Sequence, residues 1–463
     1  MDSNIDGALN DFFHVVPNPL PTASEYKAHI RRVRNSLLTS NPQLDERYCS
    51  LINPYTFHTP PARITELKQL QSALHAALLA IINNWWTIPR YQEAIPVTPK
   101  VERVLRALDI RRPYTGVGCY RPDILIPREH DGPLQICEIN SRFMFNSYLI
   151  LLFTGEYFDY NASEEDLRRF KKQNTVQDVK SAFSQLFDPT KPVVLLKARE
   201  RGWDAHFLPY ICNTSRTVDP KSLRLVPCSS SPSGYTLADD IGIIEQVALE
   251  LHQDELDALD EQILLELGAI CYNDLRTVFL VHDKRMLGLI FQELDNLVAS
   301  GALSGEQAAV LRRGIAETHI PGTESFQKIA NEPYNKDMWL IKPCLSGGGD
   351  GIVLGKNVDQ ETWKTLVNSK LDDHHNLSAY QSKASSQSHF IIQRYLHQRR
   401  LTFLTKPENA EDPPQIVNWL TVGGMMCLND IFLKPGWRTS PSEITNTSSC
   451  GELLYSVTIN EEP

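Results

Sequence analysis

Residues 339–351 read Trp339-Leu340-Ile341-Lys342-Pro343-Cys344-Leu345-Ser346-Gly347-Gly348-Gly349-Asp350-Gly351. An apolar run ends in a lysine and then breaks into three consecutive glycines. Residues 339–355 read as strand, glycine turn and strand. A lysine at a strand end supplies a fixed positive charge beside a phosphate. Glycines let the backbone approach closely and aim N–H groups at anionic oxygens. No Gly-Lys-Ser/Thr follows and no helix starts there, so this is not a Walker A loop. The alternative at this point is a tight hairpin whose Lys342 faces solvent.

Earlier in the chain, Gln135–Asn146 reads QICEINSRFMFN, with an acidic residue inside an apolar strand. Positions i and i+2 of a strand share a face, so Glu138 and Asn140 present two oxygens together. Magnesium suits such a pair, because it takes oxygen ligands and is shared with substrate phosphates. Arg142 continues that face if the strand persists. The alternative is an exposed edge glutamate paired with Arg142. Pro122–Pro127 (PDILIP) and Gln135–Ile139 read as the two strands of a hairpin. Cys271–Leu289 places Lys284 and Arg285 at a helix start, where N-terminal N–H groups favour a phosphate. A solvated Lys-Arg pair is the other reading, and His282 reads as a loop residue. Phe390–Arg400 (FIIQRYLHQRR) reads as a strand ending in Gln393 and a basic cluster, framing an adenine edge or simply filling a core.

Between these islands, Ser24–Leu38 and Ile64–Asn84 read as helices, the latter from Ile64, Leu67, Leu70, Leu74, Leu78 and Ile81. Residues 160–185 read as helical and charged. Pro192–Lys197, a helix over Trp203–Tyr210 and a strand at Ser222–Val226 read as a βαβ unit. Further helices are expected over Ile241–Leu251 and Lys284–Ala299, a strand over Ile416–Leu420, and a flexible polar insertion over residues 370–388. The fold class expected is α+β and multi-lobed.

Composition narrows the function classes. The 463 residues include 46 Lys and Arg against 56 Asp and Glu, a formal charge of −10. A net acidic chain is a poor general nucleic-acid binder, which needs a basic footprint. Nine cysteines are scattered without a CxxC pair, which argues against zinc ribbons and for free thiols in a reducing compartment. The N-terminus lacks a basic patch followed by an apolar run. Ser147–Phe153 (SYLILLF) is too short to span a membrane. The expectation is a soluble, cytoplasmic protein with no nucleic-acid or membrane partner. GxSxG, HExxH and EF-hand patterns are absent.

The order of the islands — RPDILI…ICEIN, then HDKR, then WLIKP…GGG — resembles the circularly permuted ATP-grasp enzymes of the eukaryotic glutathione synthetase type. The matching residues are Arg121 and Asp123, Glu138 and Asn140, Lys284, then Lys342 with Gly347, Gly348 and Gly349. GWRTSPSEITNTSSCGEL looks like that family's C-terminal substrate loop, opening at Arg438. The resemblance implies ATP and Mg²⁺ as cofactors, with Glu138 and Asn140 binding the metal. It implies Lys284 and Lys342 on the phosphates, Gly347–Gly349 as the lid, and Gln393 on the adenine strand. Arg121 would hold the acyl phosphate or substrate carboxylate, and Arg438 the substrate.

Two positions depart from the family. Ser346 stands where a metal-binding glutamate is usual, with Asp350 as candidate stand-in, and Gln393 stands where glutamate is frequent. The implied activity is an ATP-dependent ligase joining a small carboxylate to an amine. A catalytically degenerate ATP-binding regulatory protein and a small-molecule kinase stay open. The expected regions are 1–115, helical; 116–190, bearing the metal motif; 191–275, a substrate-binding βαβ lobe; and 276–463, the ATP-binding lobe. A homodimer is a further expectation of the resemblance.

Overall fold

The computed structural model describes residues 11–40, 49–143, 158, 162–199, 208, 212, 214–375, 390–407, 412–445 and 451–459. A mixed nine-stranded sheet forms its centre. Its main path runs Phe13–His14, Ile52–His58, Glu452–Ile459, Ile431–Ser440, Gln415–Leu428, Cys119–Leu125 and Gln135–Asn140. Arg400–Thr405 and Phe170–Lys172 pair from the sides. Pairing is antiparallel except between Glu452–Ile459 and Ile52–His58. Strands from both ends of the chain thus share one sheet with the Glu138 hairpin.

Helices cover this sheet because their apolar stripes need a partner. Pro61–Asn83 buries Leu67, Leu70, Leu74, Leu78 and Ile81, the spacing expected, and starts with a proline where a missing N–H costs nothing. It packs on Gly305–Gly314 and on the strands Gln415–Leu428 and Ile431–Ser440. A four-stranded antiparallel sheet, Thr318–His319, Phe390–Arg394, Trp339–Pro343 and Val353–Leu354, carries the glycine turn. It has its own small core of Phe326, Trp339, Ile341, Trp363, Phe390 and Ile392.

The middle of the chain corrects two expectations. Residues 241–251 contain no helix; Val247–Glu250 is a strand parallel to Val193–Lys197. All four of its residues are buried, and a short apolar run has no period that separates buried strand from helix. The other parallel neighbour of Val193–Lys197 is Thr214–Val218, not residues 222–226. Arg224–Pro227 closes locally onto Tyr235–Ala238 instead, across a serine- and glycine-rich turn. Residues 203–210 lie outside the described residues apart from Leu208. In the expected insertion, residues 370–375 complete the helix Gln360–His375, and 376–389 lie outside the described residues. Ser147–Phe153 does so too. Among the described residues no helix is long and apolar enough to cross a membrane.

A buried polar knot ties the outer strands together. The Leu404 N–H donates to His14 Nδ1 (3.2 Å), which puts the ring proton on Nε2, facing Asn53 Oδ1 at 3.1 Å. Asn53 in turn donates to the Leu404 carbonyl and to Glu452. Burial lowers the His14 pKa from 6.5 to about 4, against the Asn53 hydrogen bond. The unfolded ring therefore binds a proton that the folded ring refuses. Stability from His14 is full above pH 6.5 and falls as the pH drops towards 4, by about 3 kcal/mol. Glu452, pushed up by burial, works in the opposite direction. The check is therefore a comparison: urea unfolding of the parent and of His14→Gln at pH 7.5 and 4.5. The variant is expected to lose less stability than the parent; equal losses would remove His14 from the account.

Candidate active site

The hairpin of Cys119–Leu125 and Gln135–Asn140 places four polar residues in two facing pairs, Arg121 opposite Asn140 and Asp123 opposite Glu138. Glu138 and Asn140 share the half-open face that the i, i+2 rule predicts, and the Asn140 amide donates to Glu138 (3.3 Å). The strand ends at Asn140, so Arg142 does not continue that face; its guanidinium instead reaches the Leu345 carbonyl of the glycine turn (3.4 Å).

Lys284 arrives from another direction. A π-helical turn, Thr277–Val281, with all five residues buried, leads into His282-Asp283 and then the helix Arg285–Ala299. Such turns redirect the chain at functional sites. Here Ser141 pins the turn, its hydroxyl donating to the Thr277 carbonyl (3.1 Å) and its N–H to His282 Nδ1 (3.2 Å). Asp283 and Arg285 pair bidentately, and both are buried. Lys284, 5% exposed, lies 3.4 Å from Glu138 and donates to the Ser346 carbonyl (2.6 Å). Lys342, on the strand leading into the turn, donates to the Cys137 carbonyl (3.2 Å).

Burial opposes the Glu138 charge, but Lys284, Lys342, the Asn140 hydrogen bond and Arg438 more than offset it and hold the carboxyl well below the usual range. Glu138 is therefore ionised. His282 is held neutral, by burial first and by Arg142 and Lys284 next. Burial also pushes the Cys137 thiol up to about 11, despite Lys342, so it is no nucleophile.

A second cluster adjoins the first. Asp123 accepts from Arg121 Nε (2.8 Å) and from Arg438 (2.6 Å), so one buried carboxylate bridges both arginines. Burial works against the Arg438 charge, and Asp123 with Glu138 more than compensates. Of the expected substrate loop, residues 446–450 lie outside the described residues.

Gly348, Gly349 and Gly351 have φ of +67°, +87° and +75°, which L side chains rarely adopt. Gly347 has no such constraint, and a Cβ there would meet nothing within 4 Å. Neither backbone nor packing asks for glycine at 347; the open space suits a ligand drawn close to the turn. Gln393 is buried and donates to Thr318 (2.8 Å) between two strands. Asp350 is exposed, and among the described residues no contact joins its carboxylate to Glu138.

Among the described residues no three His, Cys, Asp or Glu side chains converge as a metal cage. The ionised Glu138 with the Asn140 amide instead fits a magnesium ion that takes its remaining oxygens from phosphates and water. The structure also adds residues that sequence reading passed over. Lys356 donates to Tyr395 (2.9 Å) and pairs with Glu443, which accepts from Tyr395 as well (3.0 Å). This clasp joins the glycine-turn sheet to the stretch after Arg438. Its members lie far apart in sequence, and no local pattern marks them.

The site thus sets a lysine-flanked glycine turn against an acidic strand pair, and comparison with known proteins shows the family. The chain belongs to the ATP-grasp enzymes. The ATP-grasp enzyme ankG of Aspergillus thermomutatus is 31% identical over 372 residues, covering 72% of this chain and 76% of that one. A family profile described as the AnkG N-terminal domain matches residues 70–280. Among solved structures, the apo form of a glutathione synthetase-like effector, GSS30 from Globodera pallida, superposes with a TM-score of 0.60 at 12% identity. It covers 95% of this chain and 99% of that one. That likeness establishes the glutathione synthetase-like ATP-grasp fold.

Proposed function

We propose that this chain is a Mg-ATP-dependent ligase that joins a small carboxylate to an amine through an acyl phosphate. The observation that carries the reading is the convergence of Glu138, Lys284 and Lys342, from three separate segments, beside one glycine turn. Phosphoryl transfer asks little covalent work of a protein and much positioning and charge.

Lys284 and Lys342 hold phosphate oxygens, and the turn Gly347–Gly349 covers them. Glu138 and Asn140 hold magnesium, which neutralises phosphate charge when bound. Arg121 and Arg438, fixed at one spacing by Asp123, receive the carboxylate. Its oxygen attacks the terminal phosphorus and ADP leaves; the amine then attacks the acyl carbon, inorganic phosphate leaves and the amine proton goes to solvent. His282 is not the base, because its Nδ1 already accepts from Ser141. On this reading residues 276–463 form most of the ATP-binding lobe, 116–190 supply the metal hairpin, and 191–275 contribute to the acceptor side.

Ser346 favours a second reading, a nucleotide-binding protein without turnover, since its position lacks the carboxylate usual in the resembling family. ADP release with Mg-ATP, measured over a panel of carboxylates with and without amines, separates the two. Release that needs both acceptors supports the ligase. Tight Mg-ATP binding with no release across the panel supports the second reading, and release with one acceptor alone indicates a kinase.

A further inference from the structure

Arg142 is 5% exposed, yet among the described residues its guanidinium makes a single hydrogen bond, the 3.4 Å contact to the Leu345 carbonyl. Its Nε is buried without a partner. Among the described residues no carboxylate lies within ion-pair distance of it. The acids whose fields reach it are engaged elsewhere: Asp283 with Arg285, Asp254 with Arg199, and Asp257 with Gln253. Burial lowers its pKa from 12.5 to about 10, so it stays charged. A buried guanidinium has five donors, and one left without a carboxylate is costly; proteins keep such groups where an anion binds.

Its position indicates which anion. Arg142 and Lys284 contact consecutive carbonyls of the glycine turn, Leu345 and Ser346. Lys284 touches Glu138, four residues before Arg142. Arg142 therefore sits at the phosphate end of the site, whereas Arg121 and Arg438 are already shared through Asp123. We propose that Arg142 is a third cation of the grip, binding the terminal phosphoryl oxygens of the nucleotide and the acyl phosphate made from them. This rests on the nucleotide reading above. It gives the site a charge on the side where Ser346 supplies no acidic metal ligand.

The test is calorimetric affinity for Mg-ATP and Mg-ADP, with melting temperatures taken without nucleotide, for the parent, Arg142→Met and Arg142→Lys. Arg142→Met is expected to weaken Mg-ATP binding about 10- to 100-fold. Mg-ADP affinity is expected to hold within about threefold. Arg142→Lys should recover part of the loss. Without nucleotide, Arg142→Met is expected to melt higher than the parent, because a poorly compensated buried charge has been removed. An unchanged preference for ATP over ADP, or a lower melting temperature, overturns the proposal while leaving the nucleotide site intact. A parent chain that binds neither nucleotide overturns the ATP reading itself.

Discussion

Glu138→Ala is expected to reduce acceptor-dependent ADP release by on the order of 10³-fold. Two effects add. The variant loses the ionised oxygen offered to magnesium, and it leaves Lys284, Lys342 and Arg438 without the carboxylate whose charge their fields favour. Nucleotide affinity measured without metal should persist or rise, since a negative charge has left the phosphate site. Glu138→Gln, which keeps the shape and removes the charge, should behave as the alanine variant does. Lys342→Ala differs in a diagnostic way: it should weaken nucleotide binding with or without magnesium. The measurement is ADP release and nucleotide affinity across a magnesium titration. Undiminished release by Glu138→Ala would mean that the hairpin does not face the phosphates.

The largest expected stability effect lies behind the site. Asn273 is fully buried, and its amide accepts from the Cys119 N–H (2.8 Å) and donates to the carbonyls of Cys119 (3.0 Å) and Ser141 (3.1 Å). It joins the start of one hairpin strand to the residue just after the other. Asn273→Ala leaves three buried backbone groups unpaired, a loss of about 4 kcal/mol. Gly118, at φ +74°, packs so closely on this amide that a Cβ there would meet the Asn273 oxygen at 2.7 Å. Urea denaturation followed by tryptophan fluorescence would measure it; a loss below about 1 kcal/mol would show that water replaces the amide. Ser141 and Arg142 should shift with it, so the variant is also expected to bind nucleotide less well at temperatures where it is folded.

Much of the site was readable because strand periodicity is local. Glu138 and Asn140 share a face for the same reason in any strand, and Lys342 ahead of three glycines needs only backbone geometry to suggest a phosphate turn. The long helix over residues 61–83 was equally legible, from a stripe of Leu and Ile that must be buried. Legibility failed where neighbours decide. Val247–Glu250 is a strand because Val193–Lys197 lies beside it, not because of its own pattern. Arg142 would continue the Glu138 face only if the strand persisted; it departs because the strand ends at Asn140 and Ser141 is drawn to the turn before Lys284. The sharing of Asp123 between Arg121 and Arg438 joins residues more than 300 positions apart, and no spacing rule spans such a gap.

By itself the sequence determined which residues are candidates for the chemistry and on which local elements they sit: an acidic strand pair, two lysines, two arginines and a glycine turn. Tertiary structure decided which of them meet, which charges are neutralised and which are left over. Contact is set by packing between segments distant in the chain, and the energy of a charge is set by its burial and partners. Glu138 is ionised because two lysines and an arginine surround it. Arg142 stands out only once the fold has buried it with no carboxylate among the described residues within ion-pair distance.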